Sequence, residues 1–211
     1  MPERFISVTG AAAPLLRANI DTDALSPSRL EKQFGEKGGD NLAAGLFANW
    51  RYEDDVKEIP DFILNRPGFR EAKILLAGPN FGCGSSRESA VWALKAFGIS
   101  CVIAPSFGEI FYNNCFKNGL LPVMLDFDAI KALAEEAAPG APGALFTVDL
   151  ETQRITAPSG NPVAFSVPAF RRQGLLEGLD EIAVTMQRQN EIDAFMAQAR
   201  AARPWAYPNP R

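Results

Sequence analysis

Gly82-Cys83-Gly84-Ser85-Ser86-Arg87-Glu88 gathers two hydroxyls, a thiol, a guanidinium and a carboxylate into seven positions. Glycines at such spacing let backbone approach a ligand closely, and amide groups at the start of a following helix carry positive character, which suits a carboxylate. Arg87 adds a planar fork able to hold a carboxylate through two parallel hydrogen bonds. The same letters also fit a capping box, with Ser85 as N-cap and Glu88 reaching back, worth about 1 kcal/mol for the cap. Two familiar loops fail: a dinucleotide fingerprint would need glycine where Arg87 stands, and a phosphate loop would need Gly-Lys-Ser/Thr where Ser85-Ser86-Arg87 stands.

A second polar group, Asp21-Thr22-Asp23, places two carboxylates at the end of an apolar stretch; either aspartate would serve equally as a turn cap. The chain contains no histidine. That excludes Ser-His-Asp and Cys-His nucleophilic machinery, the serine-hydrolase elbow and histidine metal sites. Proton transfer is left to a carboxylate, lysine, tyrosine, thiol, activated hydroxyl or a group from another chain. Cys83, Cys101 and Cys115 match no zinc or cluster spacing, and Cys101 and Cys115 read as small buried residues.

The elements that must position these groups follow from periodicity. Phe5 to Leu16 reads as an opening strand and turn, and Ser26 to Asn49 as a glycine-rich loop with short helical pieces. Lys73 to Ala77 has the pattern of a buried strand, followed by the loop and a helix from Arg87 to Phe97 ending at Gly98. Ser100 to Ala104 and Leu120 to Leu125 read as strands, with a helix from Phe107 to Lys117 between them. Strand and helix in alternation imply parallel pairing with right-handed crossovers. A helix over Asp126 to Ala138, a loop over 138–143, three short strands (Leu145 to Leu150, Arg154 to Ala157, Val163 to Val167) and helical stretches over Pro168 to Leu176 and Gly178 to Ala202 complete the chain. Trp50, Tyr52 and Phe62 read as packing residues, and Arg171 and Arg172 as solvated or partner-facing.

With 211 residues, 47% hydrophobic and 22% charged, the chain has the composition of a globular protein. One domain is expected over 1–202, with a proline-rich tail over 203–211. The net charge of −4 is of mixed sign along the chain, without a basic stripe, which argues against nucleic acid as partner. No apolar run reaches the ~20 residues of a membrane span, and the expected location is cytoplasmic.

Four motifs taken together point further: Asn19-Ile20-Asp21-Thr22-Asp23, Asn80-Phe81 leading into the loop, Ile103-Ala104-Pro105-Ser106-Phe107-Gly108-Glu109-Ile110-Phe111-Tyr112, and Asn118-Gly119-Leu120-Leu121-Pro122-Val123. In order, and from about Phe5 to Asn190, they resemble the small subunit of 3-isopropylmalate dehydratase. The resemblance implies an α/β fold of the swivelling β/β/α kind, equivalent to the mobile last domain of aconitase. It also implies a large-subunit partner carrying a [4Fe–4S] cluster that this chain does not bind. The implied reaction is the interconversion of 2-isopropylmalate and 3-isopropylmalate, small hydroxy dicarboxylates of leucine biosynthesis, by loss and re-addition of water. Ser85 corresponds to the base, Asp23 to an acidic residue supporting the acid chemistry, and Ser86 and Arg87 to carboxylate ligands. Gly84, Asp21 and Thr22 fall with the substrate-binding set, and the cluster iron is implied as Lewis acid on the departing hydroxyl. A serine serves as base only if its alkoxide is stabilised by fixed donors, which the loop amides and Arg87 supply. Ser89, Ala90 and Val91 stand where the family has histidine, alanine and proline, and Ser28-Arg29-Leu30-Glu31-Lys32 lacks the usual apolar pattern. A citramalate or dimethylmalate relative therefore stays open, as does a carboxylate-binding module without chemistry.

Overall fold

The computed structural model describes residues 3–29, 41–54, 56–137 and 144–207. Four strands form a parallel sheet in the order β2 (Ala12–Leu15), β5 (Ile74–Ala77), β6 (Cys101–Ala104) and β7 (Leu121–Met124). Registers run Ala12 against Ile74, Ile74 against Cys101 and Cys101 against Leu121. Residues 74–77 and 101–104 are buried on both faces, which is why they read as unbroken apolar runs rather than alternating ones. The strand prolines, Pro14 and Pro122, lie in the two edge strands β2 and β7, where a missing N–H costs no ladder bond.

The period of two splits each strand between two cores. Leu75, Ala77, Val102 and Ala104 face one core, with Val91 and Leu94 of α4 (Ser89–Phe97) and Phe111 and Cys115 of α5 (Glu109–Lys117). Ile74, Leu76, Cys101 and Ile103 face the other. There they meet a second sheet, antiparallel, ordered β1 (Ser7–Gly10), β8 (Phe146–Asp149), β9 (Arg154–Thr156) and β10 (Pro162–Ala164). Helix α6 (Phe127–Glu136) closes this second core through Ile130 and Leu133, and α7 (Ala169–Glu177) through Leu175. Each fully buried leucine or isoleucine stabilises the fold by about 1.5–3 kcal/mol. The result is sheet on sheet, with α4 and α5 on the far face of the parallel sheet and α6 and α7 closing the core between the sheets.

The opening strand predicted over Phe5 to Leu16 is two strands in two sheets. The chain changes sheets at Ala11, whose carbonyl accepts from Lys73 and Ile74 N–H at 3.1 and 3.2 Å. Between β2 and β5 come α1 (Thr22–Leu25), α2 (Asn41–Gly45), α3 (Ala48–Arg51) and the hairpin β3 (Tyr52–Glu53) with β4 (Lys57–Glu58). Arg51, 6% exposed, ties this region down: it donates to Asn65 Oδ1 and to the carbonyls of Ala43 and Leu46, while Asn65 donates back to the Arg51 and Ile59 carbonyls. Burial lowers its pKa. Phe47 and Trp50 stack with centroids 5.4 Å apart, and Phe62 tilts against both, the packing role expected of Trp50 and Phe62.

The helix expected from Gly178 to Ala202 is two helices, α8 (Glu181–Met186) and α9 (Gln189–Ala202). Arg171 and Arg172, read as solvated or partner-facing, are half-buried and bond within their own chain, Arg171 to Asn113 Oδ1 and Arg172 to the Leu150 and Glu151 carbonyls. Pro204–Ala206 form a 3-10 turn, with Tyr207 under Arg200 at 5.8 Å. The loop expected over 138–143, part of the Ser28–Lys32 segment and the last residues of the tail lie outside the described residues. Among the described helices none is long and apolar enough to cross a membrane.

Candidate active site

Three loops leave the carboxyl ends of β2, β5 and β6 on the same side of the parallel sheet, the position where open α/β sheets bind ligands. They are sewn together by backbone hydrogen bonds. Asn19 N–H donates to the Pro79 carbonyl at 2.9 Å, Gly82 N–H to Ile20 at 2.7 Å and Thr22 N–H to Cys83 at 2.9 Å. Phe81 N–H donates to Ser106 and Gly108 N–H to Phe81, at 3.0 and 2.8 Å. Asn19 and Asn80 take the left-handed backbone (φ 56 and 59) and bond to each other through their side chains at 2.8 Å. Gly82 has φ +71, and a Cβ there would lie 2.2 Å from Phe111 Cγ; only glycine lets α5 pack this close.

On this platform the loop presents Ser85 and Ser86, both exposed. Neither hydroxyl has a hydrogen-bond partner among the described residues, and neither do the N–H groups of Gly84 to Glu88. Gly84 sits at φ +91 with Asp21 and Thr22 behind it. Arg87 donates through Nη1 to Asp23 Oδ1 at 2.6 Å and to the Ser26 carbonyl at 3.3 Å. Its Nε and Nη2 have no partner among the described residues, so one two-donor edge of the guanidinium stays open. The amides of Gly84 to Glu88, the two hydroxyls and the Nε and Nη2 of Arg87 are thus grouped donors without partners among the described residues, an arrangement that suits an anion.

The capping box read from Ser85 and Glu88 is not formed. Helix α4 starts at Ser89, Glu88 is its N-cap residue without a side-chain cap bond, and Ser85 lies a turn too early to reach it. What draws Ser85 away is its carbonyl, which accepts from Thr22 Oγ1 at 2.9 Å, a contact across 63 residues that local spacing does not reveal. Thr22, expected among the substrate-binding residues, is 1% exposed and lies beneath the loop. Asp21 caps α1, its carboxylate accepting from Ala24 N–H at 2.7 Å, the turn-capping alternative. Sequence reasoning took Asn118 only as a helix stop within a family motif and missed its side-chain bonds. Its Oδ1 accepts from Trp92 Nε1 at 2.9 Å and its Nδ2 donates toward Glu88 Oε1 at 3.4 Å, joining the end of α5 to the start of α4.

The cysteines do not converge on this site. Cys115 and Cys101 lie in the two different cores, where burial pushes both thiols up, and Cys83 is half-buried in the loop. Among the described residues no group of three or more cysteine, aspartate or glutamate side chains is placed to hold a metal ion. A cluster does not fit the ligands this chain offers.

Residues 2–128 match the family model described as the aconitase C-terminal domain, and residues 131–169 match a second, LeuD_N. The chain is 52% identical over 203 residues to the 3-isopropylmalate dehydratase small subunit of Dinoroseobacter shibae and 51% to that of a Jannaschia species, covering 96% of this chain and 99% of each relative. It is 50% identical to that of Rhizobium meliloti, covering 97% and 100%. Among solved structures it is similar to a 3-isopropylmalate dehydratase from Methanocaldococcus jannaschii, with 25% identity, a TM-score of 0.62 and coverage of 90% of this chain and 99% of the other. On these matches the chain belongs to the small-subunit family of 3-isopropylmalate dehydratase, built on the aconitase C-terminal fold.

Proposed function

We propose that this chain is the small subunit of a 3-isopropylmalate dehydratase, a hydro-lyase that interconverts 2- and 3-isopropylmalate and works only when joined to its large subunit. The observation that carries the reading is the exposed, unpartnered Ser85 hydroxyl two residues from the open edge of Arg87, on a chain half identical to curated small subunits. In this reading Arg87, through Nε and Nη2, and the free amides of Ser85 and Ser86 hold a substrate carboxylate. Ser85 Oγ takes the proton from the carbon next to that carboxylate, with the loop donors stabilising its alkoxide. Asp23 holds the guanidinium in place through Nη1. The iron–sulfur cluster is assigned to the large subunit, and none of these steps passes through it. The site lies open at the end of the sheet, and a second chain is needed to exclude water from it. The reading of 1–202 as one swivelling domain belongs to the same proposal, supported by the parallel sheet that both cores share.

The test is Ser85→Ala assayed with the large subunit under anaerobic conditions. Because the hydroxyl has no hydrogen-bond partner among the described residues, stability should change by no more than ~0.5 kcal/mol. The rate should fall at least ~100-fold, the usual contribution of a general base. Near-normal turnover by an assembled Ser85→Ala complex would send the search for the base to the partner chain.

A further inference from the structure

Resting on that assignment of Ser85, we propose that Thr22 is a positioning residue for the reaction, a buried latch that sets the orientation of the Ser85–Ser86 peptide. Thr22 is 1% exposed, so it is a poor candidate for direct contact with substrate. It grips the loop twice: its N–H donates to the Cys83 carbonyl and its Oγ1 to the Ser85 carbonyl, both at 2.9 Å. Its own position is fixed by α1, whose N-cap Asp21 and flanking Ile20 are bound to the same platform. In a planar trans peptide the N–H points opposite to the C=O. Drawing the Ser85 carbonyl down onto Thr22 therefore turns the Ser86 N–H upward, to the exposed side where the Ser85 hydroxyl also stands. Without the latch, the Ser85–Ser86 peptide has no other hydrogen bond among the described residues to fix its rotation, in a loop flanked by the flexible Gly84.

The experiment compares Thr22→Val, Thr22→Ser and Ser85→Ala, each assembled with the large subunit. Thr22→Val keeps the shape and removes the donor; kcat should fall ~10- to 100-fold, the scale set by misplacing a reacting group by an ångström. KM should rise as the Ser86 amide is turned away, but by less than kcat falls, since Arg87 still holds the carboxylate. Thr22→Ser keeps the hydroxyl and should recover most of the lost rate. If Thr22→Val fails to assemble, Thr22→Ala carries the same comparison. With Ser85→Ala inactive, equal kcat in the valine and serine variants overturns the latch alone, and so does a loss confined to KM. Near-normal turnover in Ser85→Ala overturns the assignment of Ser85 and the latch together.

Discussion

In the proposed function Arg87 is divided between two tasks, and the division can be measured. One nitrogen, Nη1, is committed to Asp23 and the Ser26 carbonyl, while Nε and Nη2 have no partner among the described residues. Arg87→Lys keeps one charge but offers no second parallel donor, so kcat/KM should drop ~30-fold or more, equivalent to about 2 kcal/mol or more. Asp23 is 55% exposed, and its pair with Arg87 contributes at most ~1 kcal/mol to stability. Asp23→Asn should therefore melt within a few degrees of the unaltered chain in calorimetry, while losing activity as the guanidinium is freed to rotate. A melt lowered as much as the activity would make the pair structural. Arg87 as a fork and the glycines as close approaches were legible in the residue types, whereas a chemical role for Ser85 and Ser86 came only from the family resemblance, since their spacing fits a helix cap equally well. The partner of the Ser85 carbonyl was not legible, because Thr22 reaches it across 63 residues.

At the level of elements, the strands and helices of the parallel sheet were legible because β5 and β6 are unbroken apolar runs and their helices end in glycine or asparagine. Helix α4 begins two residues later than its pattern implied, since the backbone from Ser85 to Glu88 keeps its donors free instead of entering the helix. The break between α8 and α9 at Gln187 and Arg188 carries no proline or glycine and left no mark in the sequence. Nor did the sheet change at Ala11, which depends on where β8 and β5 arrive. The packing of α5 against the loop is fixed by Gly82, and two substitutions separate backbone strain from crowding. Gly160 also has positive φ, at +82, but a Cβ there meets nothing within 4 Å. Gly160→Ala should cost about 1 kcal/mol in urea unfolding. Gly82→Ala must in addition displace the Phe111 ring and should cost on the order of 3 kcal/mol. Equal costs would mean that Phe111 moves aside freely.

For the molecule as a whole, the proposal makes the chain half of an active site. Purified alone under anaerobic conditions with iron and sulfide, it should fold, show no iron–sulfur absorbance and turn over no substrate. Addition of a cluster-loaded large subunit should restore the reaction, and turnover by the chain alone would overturn the shared site.

The split of β5 between two cores carries a mechanical consequence. Ile74 and Leu76 anchor one hydrophobic layer while Leu75 and Ala77 anchor the other, so neither layer can loosen without the strand that the other depends on. Amide exchange should then report a single opening event for β5, β6 and β8, with protection close to that of global unfolding. The loop that carries Ser85 and Arg87 rides on the end of this stiff plate. Under the proposed function, closing this loop over substrate is expected to displace the plate as one body, since neither core can bend without the strand that the other shares.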